Sequence, residues 1–407
     1  MRITTLLVVI LSASSLRAQE AVFPNFKAQE IATDLTVGYA VIVVDINEDG
    51  KPDIVVVDSK RIVWYENPTW KCRTIITGKT RPDNVCITAL DIDGDGHMDL
   101  VVGADWAPFN TKSGGTLQWL KRGKTLDEEW TIHPIAEEPT VHRVRTADID
   151  GSGKKAIVLL PLMGRDSGKD ANWMDGRPVR VLAYPIPKDP INGPWQPLVL
   201  YEQLHVCHNL WPVPGPKGKP DDILVAAYEG VFLLHNDADK WAAVKKGAGN
   251  QANPKSNRGA SEVKLGTLKG GEKMIATIEP WHGNEVVIYP DGELGKENLL
   301  QRVVIDDQLR WGHGVWFADL DGGGDDELIV GVRDNPAKGD AFTQKCGVRI
   351  YKALDKTRTK WARRIIDDGG VAVEDLTVAD LNGDGKPDII AVGRKTGNAR
   401  IYWNMGK

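Results

Sequence analysis

The sequence predicts an all-β fold, a seven-bladed β-propeller with four antiparallel strands per blade, from three observations. An acidic loop followed by a β-branched run recurs along the chain, for example DIDGDGHMDLVV at 91–102. The units around these loops repeat one order of short strands separated by Gly, Asn and Asp turns, which is typical of all-β proteins. A strand-like segment also precedes the first unit, while the last unit lacks its fourth strand. Such a repeat indicates a radial architecture.

Seven units follow when the first acidic position of the loop is used as a marker of phase. Five units carry an acidic marker, namely Asp45, Asp91, Asp148, Asp319 and Asp380. Two weaker copies lack the acidic loop, and alignment of their β-branched runs places their markers at Pro214 and Leu265. Each unit then contains a strand before the loop, a β-branched strand after it, a third strand ending in aromatic and polar residues, and usually a fourth strand.

The segment around residues 22–34 is expected to complete the last blade, because FKAQEIAT at 26–33 alternates like a fourth strand. Pairing this segment with the C-terminal unit removes exposed sheet edges, as in closed propellers. We therefore expect one propeller domain over residues 19–407. Residues 1–18 combine an early cation, an apolar core and small residues, which predicts a cleavable signal peptide and a secreted or periplasmic protein.

The composition excludes some classes of partner. Hydrophobic residues make up 42% and charged residues 26% of the chain, and the net charge is -5. Because no basic surface is implied, we expect no nucleic-acid partner. The apolar run near the N-terminus is too short to span a membrane. We expect a monomer or small homo-oligomer. Cys72 and Cys86 are the closest candidate disulfide pair, with unbridged buried cysteines as the alternative.

The acidic loops are predicted to bind Ca²⁺. Oxygen-bearing side chains at alternate positions of a tight glycine loop suit this hard cation. The intact loops of blades 1, 2 and 7 offer Asp45, Asn47, Asp49 and Asp53; Asp91, Asp93, Asp95 and Asp99; and Asp380, Asn382, Asp384 and Asp388. Blades 3 and 6 are expected to bind weakly or not at all, because the pattern is interrupted at Ser152, Ala156 and Gly323. A turn held by its own hydrogen bonds is the alternative.

The histidines fall on one register once the phase is known. Six residues before the markers stand Tyr39, Val85, His142, His208, Gly259, His313 and Glu374. In a propeller these positions begin the innermost strands, so we expect them to meet around the central channel on the face opposite the acidic loops. His142, His208 and His313 are the predicted ligands of Zn²⁺ or another divalent transition metal. Hydrogen bonding of each histidine to a buried carbonyl is the alternative.

Other polar and aromatic residues are predicted to reach the same channel mouth. The candidate catalytic residues, which would move a proton or hold a substrate oxygen, are His282, Glu374, Asp375, Arg143, Arg145 and Tyr39. The candidate substrate-binding residues, in which tryptophans would stack on a sugar ring, are Trp106, Trp173, Trp281, Arg310, Trp311 and Arg333. The excursions at 161–178 and 334–346 carry no helical period and are expected to wall the cleft.

The seven units resemble the FG-GAP/VCBS type of propeller blade over nearly the whole mature chain. A narrower resemblance, to the propeller of the aldos-2-ulose dehydratase group of sugar lyases, rests on HNLWP at 208–212, EPWHG at 279–283 and WGHG at 311–314. These resemblances imply calcium-binding blades and a carbohydrate as substrate. The additional cupin-type domains of that group are not expected, because the propeller fills the chain.

Two functions from different classes remain open. The first is a metal-assisted carbohydrate lyase, or a related isomerase, in which a Lewis acid stabilises the enolate of a keto- or uronic sugar. The second is a noncatalytic, calcium-stabilised propeller that binds glycan or protein, since a fold alone does not decide function. The histidine register favours the enzyme, because a binding ring needs no imidazoles aimed at one axis. A hydrolase using Glu374 and Asp375 is disfavoured, because neighbours on one strand point to opposite faces.

Overall fold

The computed structural model of the chain describes residues 21–238, 240–290, 298–333 and 346–407. These residues form seven four-stranded antiparallel sheets, each with the strand order of one propeller blade. The predicted fold class and the predicted number of blades are therefore confirmed. The predicted signal peptide at 1–18 lies outside the described residues.

The blades are numbered in chain order, and each runs from an innermost to an outermost strand. Blades 1 to 3 contain β2 (Gly38–Val44), β3 (Asp53–Asp58), β4 (Arg61–Glu66) and β5 (Lys71–Thr77); β6 (Cys86–Leu90), β7 (Asp99–Ala104), β8 (Thr116–Lys121) and β9 (Thr131–Glu137); β10 (Val141–Ala147), β11 (Ala156–Pro161), β12 (Val179–Tyr184) and β13 (Leu198–Leu204). Blades 4 and 5 contain β14 (Cys207–Val213), β15 (Asp222–Ala227), β16 (Gly230–Asp237) and β17 (Lys240–Gly247); β18 (Val263–Thr267), β19 (Lys273–Glu279), β20 (Glu285–Tyr289) and β21 (Val303–Asp306). Blades 6 and 7 contain β22 (Gly312–Ala318), β23 (Glu327–Val332), β24 (Gly347–Ala353) and β25 (Trp361–Ile365); β26 (Val373–Ala379), β27 (Asp388–Gly393), β28 (Ala399–Asn404) and β1 (Phe26–Ala32).

The β-branched runs form the second strand of each blade and the core between blades. Every residue of β3, β7, β11, β23 and β27 is buried, as expected for a strand with a neighbouring blade on either side. The third strands supply large core side chains, among them Trp64 and Trp119. Burial of a large apolar side chain contributes roughly 1.5–3 kcal/mol. This packing holds the innermost strands in place around the channel.

The ring is closed by the N-terminal strand. β1 pairs antiparallel with β28, from Phe26 opposite Asn404 to Glu30 opposite Arg400. The last sheet accordingly has the order β1-β28-β27-β26. The predicted role of residues 22–34 is therefore confirmed.

Five of the innermost strands carry a β-bulge at the same height. The innermost strands contact one another in chain order, and β26 contacts β2. Pairing with the second strand skips one residue near the start of β2, β10, β14, β22 and β26. The skipped residues are Tyr39, His142, His208, His313 and Glu374. A bulge breaks the alternation of the pleat and re-aims the extra side chain. The five side chains are therefore displaced from the regular pleat at equivalent positions of their strands.

The loops and cysteines differ from expectation in two respects. The excursion at 161–178 contains a 3₁₀ turn, Lys169–Ala171. Cys72 and Cys86 are not bridged, because Cys72 lies on the outermost strand of blade 1 and Cys86 on the innermost strand of blade 2. The excursion at 334–346 lies outside the described residues except for its last residue. Within the described ranges, no helix has the length and hydropathy needed to cross a membrane.

Candidate functional site

Four histidines meet at the channel mouth around His208. Its ring centroid is 4.6 Å from that of His142, 4.5 Å from that of His282 and 5.2 Å from that of His313. One nitrogen from each of His208, His282 and His313 lies within 4.8 Å of the others, a spacing that allows them to share one ion. The structure thus brings the predicted histidines together. The compact group of three, however, contains His282, and the predicted ligand His142 lies beside this group.

Each strand histidine has an oxygen atom next to its Nδ1. His142 Nδ1 lies 2.9 Å from the carbonyl oxygen of His208, and His313 Nδ1 hydrogen-bonds the carbonyl of Glu374. His208 Nδ1 lies 3.0 Å from Oε1 of Glu262. Because carbonyl oxygens only accept hydrogen bonds, Nδ1 of His142 and of His313 carries the proton and Nε2 retains its lone pair. His208 Nδ1 and Glu262 Oε1 are close but not aligned for a hydrogen bond, and both atoms are buried without another partner among the described residues. Metal-binding histidines have this arrangement, in which the other ring nitrogen donates to a carbonyl or carboxylate.

The surroundings keep the imidazoles neutral. Burial lowers the pKa of His142, His282 and His313 well below the usual range, and neighbouring cations add to the effect. Burial also lowers the pKa of His208, with Glu262 opposing the change. The Nε2 atoms of His208 and His282 face each other at 2.7 Å. Two lone pairs repel at this distance, so the pair requires a shared proton or cation.

Aromatic side chains form one wall of the mouth. Trp281 stacks on His282 with ring centroids 4.1 Å apart, and the Trp106 ring lies 4.9 Å from that of His142. Trp173 belongs to the same wall, which packs on the buried cluster of Leu162, Met163, Val206 and Tyr228. Three predicted substrate-binding tryptophans therefore lie on one side of the histidines, where an apolar sugar face can stack.

Charged side chains form the opposite wall, next to His313. Arg394 Nη1 donates to Oε1 of Glu374 at 2.8 Å, and Arg333 Nε lies 3.2 Å from Oε2 of the same carboxylate. The Arg394 guanidinium lies 5.3 Å from the centre of the Tyr39 ring. Burial raises the pKa of Tyr39, so the phenol keeps its proton at neutral pH. The predicted residues Glu374, Arg333 and Tyr39 thus form one connected group.

Two mouth loops hold strained backbone. His282 and Trp311 have φ angles of 52° and 56°, and non-glycine residues in this left-handed region cost on the order of 1–3 kcal/mol. The Trp311 ring centroid lies 6.1 Å from that of His282, and its carbonyl accepts a hydrogen bond from the Arg333 amide. Arg310, immediately before Trp311, is exposed at the rim. Loop contacts therefore hold His282 in its position over the channel.

Three predicted catalytic residues lie deeper in the channel than the histidines. Arg143, Arg145 and Asp375 line a cavity to which none of the four clustered histidines contributes. Below the bulges at His142 and Glu374, the regular pleat resumes and turns the next residues into the channel. Sequence reasoning expected these three side chains to reach the channel mouth. The structure places them beneath it instead.

Sequence reasoning missed Glu262. The marker placed at Leu265 puts Gly259 on the histidine register, but β18 begins at Val263 and turns directly into β19. Glu262 is buried, contacts His208 and accepts a hydrogen bond from Asn209. Blade 5 has no acidic loop to set its phase. The available signal was a lone carboxylate at a strand start, in SEVKL at 261–265.

The last carboxylate of each intact acidic loop holds the loop closed. Asp53, Asp99 and Asp388 are fully buried, and the two oxygens of each accept backbone amides at 2.8–3.2 Å. Burial raises the pKa of each to about 6. Earlier oxygens also accept amides of their own turn, as Asp45 does from Gly50 at 2.9 Å. The self-bonded turn considered from sequence is therefore present in these loops.

The loop of blade 6 is more complete than its sequence suggested. Asp319, Asp321 and Glu327 bring carboxylate oxygens within 4.8 Å of one another. Gly323 breaks the alternation of side-chain oxygens, but Glu327 occupies the position of the buried last aspartate and accepts the Leu320 amide at 2.9 Å. The longer glutamate was not counted in the aspartate pattern.

Lysine side chains from the third strand reach into two of the acidic loops. Lys121 pairs with two aspartates of the blade 2 loop, and Lys352 pairs with two carboxylates of the blade 6 loop. The pairing registers put both lysines at one position of the third strand. Blades 1 and 7 have Glu66 and Trp403 at that position. Blades 2 and 6 therefore carry a cation at this third-strand position and blades 1 and 7 do not, although Lys386 of the blade 7 loop itself pairs with Asp384 at 2.9 Å.

These features define a class of protein, a seven-bladed β-propeller with a histidine cluster at one mouth of its channel. The model of the family described as "Aldos-2-ulose dehydratase, beta-propeller domain" matches residues 114–291. Models of an FG-GAP-like repeat and an FG-GAP repeat match residues 45–102 and 372–402. The resemblance seen in the sequence is therefore confirmed for both kinds of unit.

A curated relative extends the resemblance beyond single repeats. The chain is 26% identical over 332 residues to aldos-2-ulose dehydratase of Phanerodontia chrysosporium, across 75% of this chain and 35% of the relative. This chain thus corresponds to about a third of that dehydratase.

Solved structures support the fold alone. The chain superposes on BBS1N, from complexes with ARL6DN soaked with mercury or lead, with TM-scores of 0.53 and 0.54 at 11% identity. The match covers 94% of this chain in both cases, and 98% and 96% of the respective BBS1N chains.

Proposed function

We propose that this protein is a secreted or periplasmic, metal-dependent carbohydrate lyase or dehydratase that acts on a keto- or uronic sugar. The observation that carries the proposal is the convergence of His208, His282 and His313 on one point at the channel mouth. The similarity to aldos-2-ulose dehydratase supports the substrate class. The aromatic and charged walls give the mouth the two kinds of surface that a sugar requires.

The donor set fits Zn²⁺ or another divalent transition metal. Neutral imidazole nitrogens are preferred ligands of these ions, and three protein ligands leave a position for substrate. The Glu262 carboxylate lies against His208 Nδ1, and the Glu374 carbonyl accepts a hydrogen bond from His313 Nδ1. A divalent cation bound here supplies Lewis-acid stabilisation of the enolate formed during β-elimination.

The remaining mouth residues have two separate roles, proton transfer and substrate binding. We assign His142 as the acceptor of the proton next to the substrate carbonyl, because its Nδ1 is anchored and its ring lies beside the group of three. This assignment exchanges the roles that sequence reasoning gave to His142 and His282. Arg333 and Arg394, oriented by Glu374, bind the keto or carboxylate oxygen. Charge-assisted hydrogen bonds of this kind fix both the position and the orientation of the bound group.

A chelation experiment tests the proposal. Purified protein is expected to contain about one transition-metal ion per chain by elemental analysis, and to produce ultraviolet-absorbing unsaturated products from keto- or uronic sugars. Chelation is expected to abolish product formation, and one equivalent of Zn²⁺ or Mn²⁺ to restore it. Full activity in the metal-free protein contradicts the proposal. Saturable sugar binding without product on any sugar of the panel favours the noncatalytic propeller.

Replacing Glu262 with glutamine is expected to weaken transition-metal affinity about 10–100-fold, the usual effect of losing a carboxylate that orients a histidine ligand. The change keeps the size of the side chain and removes the charge facing His208 Nδ1. Affinity is measured by competition with a chromophoric chelator. The matched control is Glu229→Gln, because Glu229 pairs with His205 at 2.9 Å outside the cluster. Equal affinities in the two variants contradict the role of Glu262.

We also propose that Ca²⁺ binds most strongly in the acidic loops of blades 1 and 7. Their third strands place Glu66 and Trp403 at the position from which Lys121 and Lys352 neutralise the loops of blades 2 and 6. Calcium there stiffens the blades and takes no part in the chemistry. The same elemental analysis is therefore expected to find about two calcium ions per chain.

A further inference from the structure

A second cavity lies in the channel between the histidines and the acidic-loop face. It has a volume of about 340 Å³ and is lined by Arg143, Arg145, Asp375, Trp211 and Trp316, with β-branched residues of β2 and β26. The described residues that line the cavity include none of the four clustered histidines. The volume falls at the lower end of the range for small-molecule sites. It greatly exceeds the roughly 30 Å³ that one water molecule occupies.

Lys264 is not among the residues that line this cavity, but it packs against both of its tryptophans. Its Nζ atom lies 4.3 Å from the centre of the Trp211 ring and 5.3 Å from that of Trp316. Lys264 is 4% exposed. In the described part of the chain, no oxygen accepts a hydrogen bond from this ammonium group, which contacts the two ring faces. A buried ammonium without an acceptor is costly, so the group is poised for an anionic partner.

The arginines of the cavity are also incompletely matched by carboxylates. Arg145 Nη1 donates to the carbonyl of Val144 at 2.8 Å, and no carboxylate lies within 4 Å of its side chain in the described residues. Arg143 reaches Glu262 only at 3.8 Å. Asp375, the acid that faces the cavity, accepts the Val41 amide at 3.1 Å.

The charges in this part of the channel do not cancel. Arg143, Arg145 and Lys264 are three cations, whereas Asp375 and Glu262 are two acids, and Glu262 is committed to His208. Burial, with a smaller contribution from Arg145, lowers the pKa of Lys264 to about 7. The pKa of Asp375 is raised by burial. An anion beside Lys264 would favour its charged form, because the attraction would offset the cost of burying the ammonium group.

We propose that this cavity is a binding site for a small organic carboxylate, distinct from the histidine cluster. The carboxylate group binds the Arg145 guanidinium on the cavity wall, close to the Lys264 ammonium that packs on the two tryptophans, and its apolar part packs against the rings of Trp211 and Trp316. An organic acid fits better than a halide because the cavity is large for a single atom and two indole rings line it. The ligand reaches the site from the acidic-loop face, since the histidine layer separates the cavity from the opposite mouth.

Isothermal titration with sodium propionate tests this site in the full-length protein. We expect saturable one-to-one binding that propionamide does not reproduce and that sodium chloride at equal ionic strength does not displace. Lys264→Met, which keeps the length of the side chain and removes the charge, is expected to weaken binding at least 10-fold. The matched control is Lys245→Met, because Lys245 also lies over an aromatic ring, Phe232, but on an exposed outer strand. The control variant retains the wild-type affinity.

Two further measurements keep the result independent of folding and of the proposed lyase function. Propionate is expected to raise the melting temperature of the wild-type protein, because a ligand that binds only the folded state stabilises it. Arg145→Met must show the same loss of binding as Lys264→Met. His208→Ala is expected to lose its metal but to retain propionate binding. The carboxylate site and the proposed metal site can therefore be tested independently of each other. Equal binding by wild type and Lys264→Met, or displacement by chloride, overturns the carboxylate site.

Discussion

Replacing His208 by alanine is expected to remove the transition metal from the purified protein and to lower lyase activity at least about 10²–10³-fold, the usual scale for losing stabilisation of a developing oxyanion. His208 occupies the centre of the cluster, with the other three histidine rings 4.5–5.2 Å away. His282→Ala and His313→Ala are expected to have the same effect, because each removes one nitrogen from the same group of three.

His142→Ala separates metal binding from proton transfer. Because His142 lies outside the group of three, this variant is expected to keep its transition metal and to lose about 10²–10⁴-fold in activity, the range typical of a general base. Elemental analysis and the ultraviolet assay are run on the same preparation of each variant. A metal-free His142→Ala protein assigns His142 to the ligands, as sequence reasoning had it.

The matched control is His205→Ala, since His205 lies on the same face but pairs with Glu229. This variant is expected to keep both metal and activity. Circular dichroism melting curves establish that each variant is folded, because removal of a buried side chain also costs stability. A stoichiometric transition metal in both His208→Ala and His313→Ala excludes the cluster as a metal site.

The fold was predictable because its signals are local and repeated. A loop of alternate acidic residues, a glycine turn and a β-branched run recur with one phase, and each recurrence marks one blade. Ring closure was predictable from the alternation in residues 26–33 together with the missing last strand. In the structure β1 pairs with β28 over this segment. Both inferences use only strand periodicity and the cost of an open sheet edge.

The site was predictable only where the phase was known. The register picked out His142, His208 and His313 because each occupies the extra position of a bulge near the start of an innermost strand. The same alignment failed in blade 5, where a direct turn from β18 to β19 replaces the acidic loop, and it therefore missed Glu262. The pairing of His282 with His208 depends on loop geometry, including a left-handed backbone at His282. No sequence period encodes such a feature.

The depth of a side chain in the channel was likewise not readable from sequence. Arg143 and Arg145 follow His142 on one strand, and sequence reasoning placed all three at the mouth. The bulge redirects His142 alone, so the arginines point into the cavity beneath it. A shift of one residue in strand pairing thus decides whether a charge lies at the mouth or in the separate cavity beneath it.

Deleting residues 21–33 is expected to abolish the cooperative unfolding transition of the native protein and to produce aggregates. The deletion removes β1 and leaves β28 as an unpaired edge, which promotes association between chains. It also removes the hydrogen bond from Trp403 Nε1 to Gln29 at 2.8 Å and the ion pair of Arg400 with Glu30 at 3.0 Å. Size-exclusion chromatography with light scattering and a circular dichroism melt provide the measurements.

Two controls assign the effect to ring closure. A chain that begins at residue 21 retains β1 and is expected to melt as the full chain does. Glu30→Gln removes an ion pair but no backbone pairing, and because such partly exposed pairs contribute about 0–1 kcal/mol, its melting temperature is expected to change little. A synthetic peptide of residues 22–34 is expected to restore a monomeric, cooperatively melting ring when added to the deleted chain, since strand addition pairs an open edge. A deleted chain that is monomeric and as stable as the full chain contradicts closure by β1, because its ring would then be held by the blade interfaces alone.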